Sequence, residues 1–276
     1  MAESQGILDI AARYYRVYTD ADTPCDEENF HFVERQLPLP VAQTALVLVD
    51  VWATHYIDSW LKRAAAITAE KILPLTTALR AAGVTIIHAP SPFVVERQHP
   101  ESMPTALQAR SKPVQPAAER AGVDEWPPAA FHGLYRTGDY ADFGRNQEQR
   151  LQDAHARYEQ ELKISPLMQP QPGDVVIATG EQMHEELRSR RILHLLYAGF
   201  ATNWCVIGRD YGMIAMQGRG YNNVLVRDAT TGVEFHDSVD ELTATQITIR
   251  EIETKYGWST TCDELVHDLF VKDRLV

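Results

Sequence analysis

Residues 44–50 read TALVLVD, an uninterrupted uncharged run closed by a carboxylate. Such a run suits a strand buried on both faces, and a strand of that kind needs layers of helix above and below it. The rest of the chain repeats the demand. VTIIHA at 84–89, DVVIAT at 174–179 after a QPGD turn, ILHLLYAG at 192–199 and NNVLVRDA at 222–229 are further buried strands. Helical spacing falls between them, at about 59–82 (Trp60, Ala64, Ile67, Ile72, Leu75 and Leu79, ending at Gly83), 181–191, 203–217 and 238–256. Strands alternating with helices predict βαβ units, hence an α/β fold with a largely parallel, doubly wound sheet sandwiched between helices in three layers. With 276 residues, 45% of them hydrophobic, the chain can bury such a core as one domain over 1–276, and no boundary signal divides it.

Two parts stand outside the alternation. Residues 1–40 form an N-terminal extension in which LDIAARYYRVY is amphipathic enough to pack as an arm. Residues 90–173 form a long insertion after the second of these strands. It holds a proline-rich piece, then Tyr135, Tyr140 and Phe143, then a charged helix at about 145–162 with Leu151, Ala154, Tyr158 and Leu162 on one stripe. Insertions of this length are usually lids, binding loops or dimer arms; a surface decoration is the plainer alternative.

Several function classes are disfavoured. Lys and Arg number 26 against 38 Asp and Glu, a net charge of −12, which argues against nucleic-acid or anionic-membrane surfaces. Cys25, Cys205 and Cys262 form no CxxC or Cys/His pattern, so neither a disulfide scaffold nor a zinc module is expected. No run approaches the roughly 18 apolar residues of a membrane span, and the start lacks a basic then apolar leader pattern. The expectation is a cytoplasmic protein acting on a small molecule, without nucleic-acid or membrane partners.

In open parallel sheets the site lies beyond the carboxyl ends of the strands, where strand order reverses. Asp50, Thr179 with Glu181, then Ala201, Thr202, Asn203 and Cys205, and finally Asp228 all fall at such ends. Cys205 would lie in the first turn of a helix capped by Thr202 or Asn203, where free N–H groups and the macrodipole favour a thiolate and can hold an oxyanion. A buried, inert cysteine is the alternative, since free Cys packs as a small hydrophobe. Asp50, partly desolvated, could take the thiol proton and return it to a leaving amine; capping or a turn is its plainer role. Asp228 reads as a turn carboxylate behind the site. Glu181 and Gln182 either touch substrate or, with Thr179, make a capping box. Trp52, Trp204 and Trp126 could wall an apolar pocket, although large aromatics are core residues first, and His55, five residues after Asp50, either lines that pocket or is satisfied in the core. Cys25 and Cys262 read as structural.

TALVLVD, PGDVVI, LYAGFATNWCV and GYNNVLVRDATTG together resemble the isochorismatase-like cysteine hydrolases, over about 44–90 and 165–256. The most specific part is G-x-x-T-N-x-C-V, met by Gly199, Thr202, Asn203, Cys205 and Val206. The resemblance implies a three-layer α/β/α fold, a homo-oligomer (dimer or tetramer), and hydrolysis of C–N bonds through a thioester. It places the nucleophile on Cys205, the base on Asp50, and a non-proline cis peptide at Ala201–Thr202 beside the oxyanion site. It also implies a lysine at the end of the third of these strands, where Thr179 stands instead; the six lysines (62, 71, 112, 163, 255 and 272) include none on or just after that strand. Another cation, from His184, His88 or an arginine of the insertion, could substitute. Alternatively, the substrate supplies the charge, or hydrolysis is lost and a binding protein remains. Isochorismatase-type vinyl-ether hydrolysis, which does not need the cysteine, is a further alternative. His88, His99 and His132 come without the Asp-x-His pair that some zinc-holding relatives use, so neither metal nor cofactor is expected.

Overall fold

The computed structural model describes residues 6–104 and 149–273. The strands are β1 (Ile7–Arg16), β2 (His31–Pro40), β3 (Thr44–Val49), β4 (Thr85–Ala89), β5 (Val175–Val176), β6 (His194–Phe200), β7 (Asn222–Thr231) and β8 (Trp258–Thr260). They form one sheet in the order β2-β1-β8-β7-β6-β3-β4-β5. Pairings from β8 across to β5 are parallel, while both pairings of β1 are antiparallel. The helices are α1 (Asp58–Ile67), α2 (Leu73–Ala81), α3 (Pro92–Gln98), α4 (Gln149–Glu161), α5 (Gly180–Arg190), α6 (Met213–Gly218), α7 (Thr243–Lys255) and α8 (Cys262–Asp273). A π-helical turn, Thr68–Ile72, joins α1 to α2 without a break.

Alternation along the central strands builds the layers. In β3, Leu46 and Leu48 face a cluster with Trp60, Ile72, Leu75, Leu79 and Leu265, from α1, α2 and α8. Ala45, Val47 and Val49 face the other way, onto Met183, Leu187, Met213, Met216 and Ile252, from α5, α6 and α7. Every residue of β3 is buried, as its unbroken apolar run demands. Among the described residues no helix is long and apolar enough to cross a membrane.

Three local expectations need revision. The N-terminal arm is a β-hairpin that widens the sheet: Leu8, Ile10 and Ala12 alternate inward, a period of two. Its outer strand carries Pro38 and Pro40, residues that sheet edges tolerate because they lack a ladder donor. The strand expected over 174–179 shrinks to Val175–Val176, because Thr179 leaves the sheet to cap α5. Finally, the helix expected over 203–217 is interrupted. A π-helical turn at Thr202–Val206 is followed by a fold-back at 209–212, and α6 starts only at Met213. Gly212 permits the fold-back, since a Cβ there would sit 2.8 Å from the Ile207 carbonyl oxygen and 2.9 Å from the Arg209 nitrogen. Most of the insertion, residues 105–148, with Trp126, Tyr135, Tyr140, Phe143 and His132, lies outside the described residues.

The order of strands reverses between β3 and β6, so the switch-point crevice opens beyond Val49 and Phe200. Gly199 sets the spacing there. Its φ is +113°, and a Cβ would lie 2.0 Å from the Val49 carbonyl oxygen. Gly199→Ala should therefore cost roughly 3 kcal/mol or more, since neither backbone can give way cheaply. A melting temperature unchanged from wild type would show that the strands are not held this close.

Candidate active site

Asp50 leaves β3 with φ +45°, a left-handed conformation that aspartate tolerates better than most residues and that concentrates at functional sites. Its side chain is 1% exposed and turns into the switch-point crevice. Cys205 arrives from the opposite side, on the π-turn after β6, half-buried rather than sealed. The thiol, the Asp50 carboxyl and the Arg209 guanidinium are within hydrogen-bonding reach of one another. Arg209 Nη2 lies 3.4 Å from Asp50 Oδ2 and 2.5 Å from Ser91 Oγ, and Ser91 in turn donates to Asp50 Oδ1 at 3.2 Å.

Electrostatics follow from this packing. Burial raises the Asp50 pKa; the Arg209 charge and the hydrogen bonds from Cys205 and Ser91 oppose that rise. Burial and then the Asp50 charge push the Cys205 thiol up to about 12, again opposed by Arg209. The resting sulfur is therefore protonated at neutral pH, beside a carboxylate able to accept its proton. Burial is the largest single influence on Arg209 and works against its charge, but the neighbouring Asp50 charge, with Tyr211 and Cys205, together outweighs it and holds the guanidinium protonated.

Several bonds fix the arginine. Asp210 Oδ2 accepts from the Gly180 N–H at 2.7 Å, so the first turn of α5 braces the fold-back that carries Arg209. A Cβ on Gly180 would meet the Asp210 carbonyl oxygen at 2.0 Å, so only glycine allows the approach. The Tyr211 hydroxyl donates to the Pro90 carbonyl at 3.1 Å, and its own carbonyl accepts from Tyr197 at 2.8 Å.

One wall is aromatic. The His55 ring stacks on Tyr56 at 4.5 Å and, more distantly, on Trp52 at 6.1 Å; it lies tilted 4.3 Å from Trp60 and edge-on 5.3 Å from Tyr158. Tyr158 belongs to α4, so the insertion contributes a ring here, and burial followed by the Asp50 charge raises its phenol pKa. His55 Nδ1 accepts from the Ile57 N–H at 3.1 Å, and burial lowers the imidazole to about 4, leaving it neutral.

Other sequence candidates are engaged differently. Thr179 Oγ1 accepts from Gln182 N while Gln182 Oε1 accepts from Ala178 N, a capping arrangement; Glu181 is exposed and pairs with Arg219. Asn203 staples the turn to the chain at Val233, bonding both its N–H and its carbonyl. Thr202 bonds Thr230 at 2.7 Å, and Trp204 is 45% exposed beside Cys205. Asp228 holds Lys71 and the Cys262 N–H, away from the crevice. The cis peptide is Phe200–Ala201, one bond earlier than the resemblance implied. Of the cations proposed from sequence, both histidines are placed elsewhere, while Arg110, Arg120, Arg136 and Arg145 of the insertion lie outside the described residues. His88 bonds Asp174, which Arg80 also holds, and His184 bonds the Tyr221 hydroxyl. Arg209 takes the position beside the carboxylate, and sequence reasoning overlooked it although i and i+4 share a helix face. Ser91 was overlooked because the rule of strand ends was not applied to β4. Among the described residues no group of His, Cys, Asp or Glu could hold a metal ion.

A family model described as the isochorismatase domain matches residues 44–254. The ureidoacrylate amidohydrolase RutB of Variovorax paradoxus (strain S110) is 30% identical over 106 residues, which are 36% of this chain and 38% of that protein, well under half its length. The crystal structure of a cysteine hydrolase from Pseudomonas syringae pv. phaseolicola 1448A aligns with a TM-score of 0.52 at 18% identity, over 85% of this chain and 96% of that one, a likeness of fold.

His55 makes stability depend on pH. Its native pKa near 4 lies below the ordinary imidazole value of about 6.5, so between those values the unfolded chain binds a proton that the native state refuses. The stabilisation is complete above about pH 6.5 and drains away as pH falls towards 4. The wild-type melting temperature should fall more steeply over that window than that of His55→Phe; equal slopes would remove His55 from the account.

Proposed function

Because this chain belongs to the isochorismatase family of hydrolases, and because Asp50, Cys205 and Arg209 converge at its switch-point crevice, we propose that it hydrolyses a C–N bond of a small amide, ureide or carbamoyl compound through a Cys205 thioester. That convergence is the observation carrying the reading. The amidohydrolase named above, similar over 36% of this chain, supports the choice of bond.

Asp50 removes the thiol proton as sulfur attacks the carbonyl carbon, forming the C–S bond and leaving negative charge on the carbonyl oxygen. Amides of the turn carrying Cys205 hold that oxyanion: the Ala201 carbonyl accepts from Trp204 and Val206, which fixes the backbone on either side of the cysteine. The proton on Asp50 then passes to the leaving nitrogen and the C–N bond breaks. Water, deprotonated by the same carboxylate, attacks the thioester, and the acid departs as sulfur recovers its proton. Arg209 supplies the positive charge that the resemblance assigns to a lysine, opposing the rise that burial imposes on the Asp50 pKa and offsetting charge as it moves to the substrate.

A panel of small primary amides, ureides and carbamoyl compounds, followed by intact-mass detection of an acyl-enzyme, tests this. Cys205→Ala and Asp50→Asn should lose turnover. Arg209→Ala should lower kcat about 10²- to 10³-fold, with part recovered in Arg209→Lys. Full turnover in Cys205→Ala would end the thioester mechanism, and on a vinyl-ether substrate it would favour chemistry that bypasses sulfur. Tight ligand uptake without product or adduct would mark a binding protein instead.

A further inference from the structure

β4 ends at Ala89; Pro90 and Ser91 follow, and Ser91 stands at the N-cap position of α3, which starts at Pro92. A serine in that place ordinarily turns its hydroxyl onto a free amide of its own helix. Ser91 makes no such capping bond. Its hydroxyl instead enters the crevice, where it accepts from Arg209 Nη2 at 2.5 Å and donates to Asp50 Oδ1 at 3.2 Å. The direction is forced, because a guanidinium only donates and a hydroxyl has a single proton to give. The side chain is fully buried, so no bulk water competes for either bond. Two prolines stiffen its backbone, and the carbonyl of one of them, Pro90, is itself held by Tyr211.

We propose that Ser91 is a positioning residue that decides which oxygen of Asp50 handles the Cys205 proton, an inference that rests on the cysteine-hydrolase reading above. With Oδ1 committed to the Ser91 O–H, Oδ2, whose contact with Arg209 Nη2 is a long 3.4 Å and leaves a second lone pair, is the oxygen we assign to the thiol. Protonating Oδ1 would break the Ser91 bond. The proton travels from Sγ to Oδ2 and onward to the leaving nitrogen, while Ser91 keeps its own proton throughout. A donor fixed on the ionised carboxylate also opposes the rise that burial imposes on Asp50, so the base stays available at lower pH.

Iodoacetamide supplies a readout that needs no known substrate. The rate of Cys205 alkylation between pH 4 and 9, followed by peptide mass spectrometry to separate it from the exposed Cys25, should fall on an acid limb set by Asp50. In Ser91→Ala that limb should move up by about one pH unit, making labelling on the limb about tenfold slower. Ser91→Thr, which retains a hydroxyl, should keep the limb at its wild-type pH. If Ser91→Ala does not fold, Ser91→Cys, nearly the same size but a much weaker donor, should show the upward shift. A wild-type limb in Ser91→Ala or Ser91→Cys overturns the proposal, as does a limb in Ser91→Thr displaced as far as in Ser91→Ala. Retained turnover in Cys205→Ala, by contrast, defeats the cysteine-hydrolase reading and says nothing about where the limb lies.

Discussion

The site depends on a carboxyl group buried where ionisation is expensive. Asp50 sits at the end of a strand with no exposed residue, its own side chain 1% exposed, and its backbone is in a left-handed conformation. An unpaired charge there would cost several kcal/mol and would be neutralised by protonation instead. Arg209 and Ser91 oppose that, the first by charge and the second by a hydrogen bond to the other carboxylate oxygen, while burial still raises the Asp50 pKa on balance. Much of the surrounding architecture holds those two groups in place: the prolines around Ser91, the Tyr211 hydroxyl on Pro90, and the Asp210 carboxylate on the first turn of α5.

How much of this was legible in the sequence divides along physical lines. The five buried strands could be read because a parallel strand covered on both faces must be continuously apolar, and TALVLVD or ILHLLYAG has few other uses. Asp50 and Cys205 could be placed at one crevice because strand ends in such sheets converge. The N-terminal hairpin was harder, since LDIAARYYRVY carries an inward alternation on only part of its length and could pack as an arm in several ways. The fold-back after Cys205 was hidden as well. The run 203–217 has helical spacing, and nothing local announces that Gly212 will let the chain return against Ile207 and Arg209. Missing that break meant missing the arginine it presents. Ser91 was hidden for another reason: a serine before a helix signals a cap, and only the tertiary structure shows that the hydroxyl has been diverted.

The aromatic wall complements the charged floor. A neutral His55 lies among Tyr56, Trp60 and Tyr158, so that side of the crevice offers ring faces and little charge. Asp50 and Arg209 offset each other, and the thiol is protonated. Tyr158 reaches this wall from α4, so the insertion contributes at least one side chain to it.

On the proposed reading, the exchange of an ammonium for a guanidinium has a structural logic. Where the resemblance expects a lysine, the carboxyl end of β5 carries Ala178 and Thr179; Ala178 is buried, and Thr179 is committed to capping α5. That end of the sheet still serves the cation, but from behind: Gly180 receives Asp210, the residue next to Arg209, so close that a Cβ would not fit. A guanidinium suits the new direction of approach. It is less strongly hydrated than an ammonium and so easier to bury, and from one nitrogen it reaches both Asp50 and Ser91. On the proposed reading, the change in cation therefore brings Ser91 along with it, because an arginine arriving from the helix side needs an acceptor beside the carboxylate to fix its orientation.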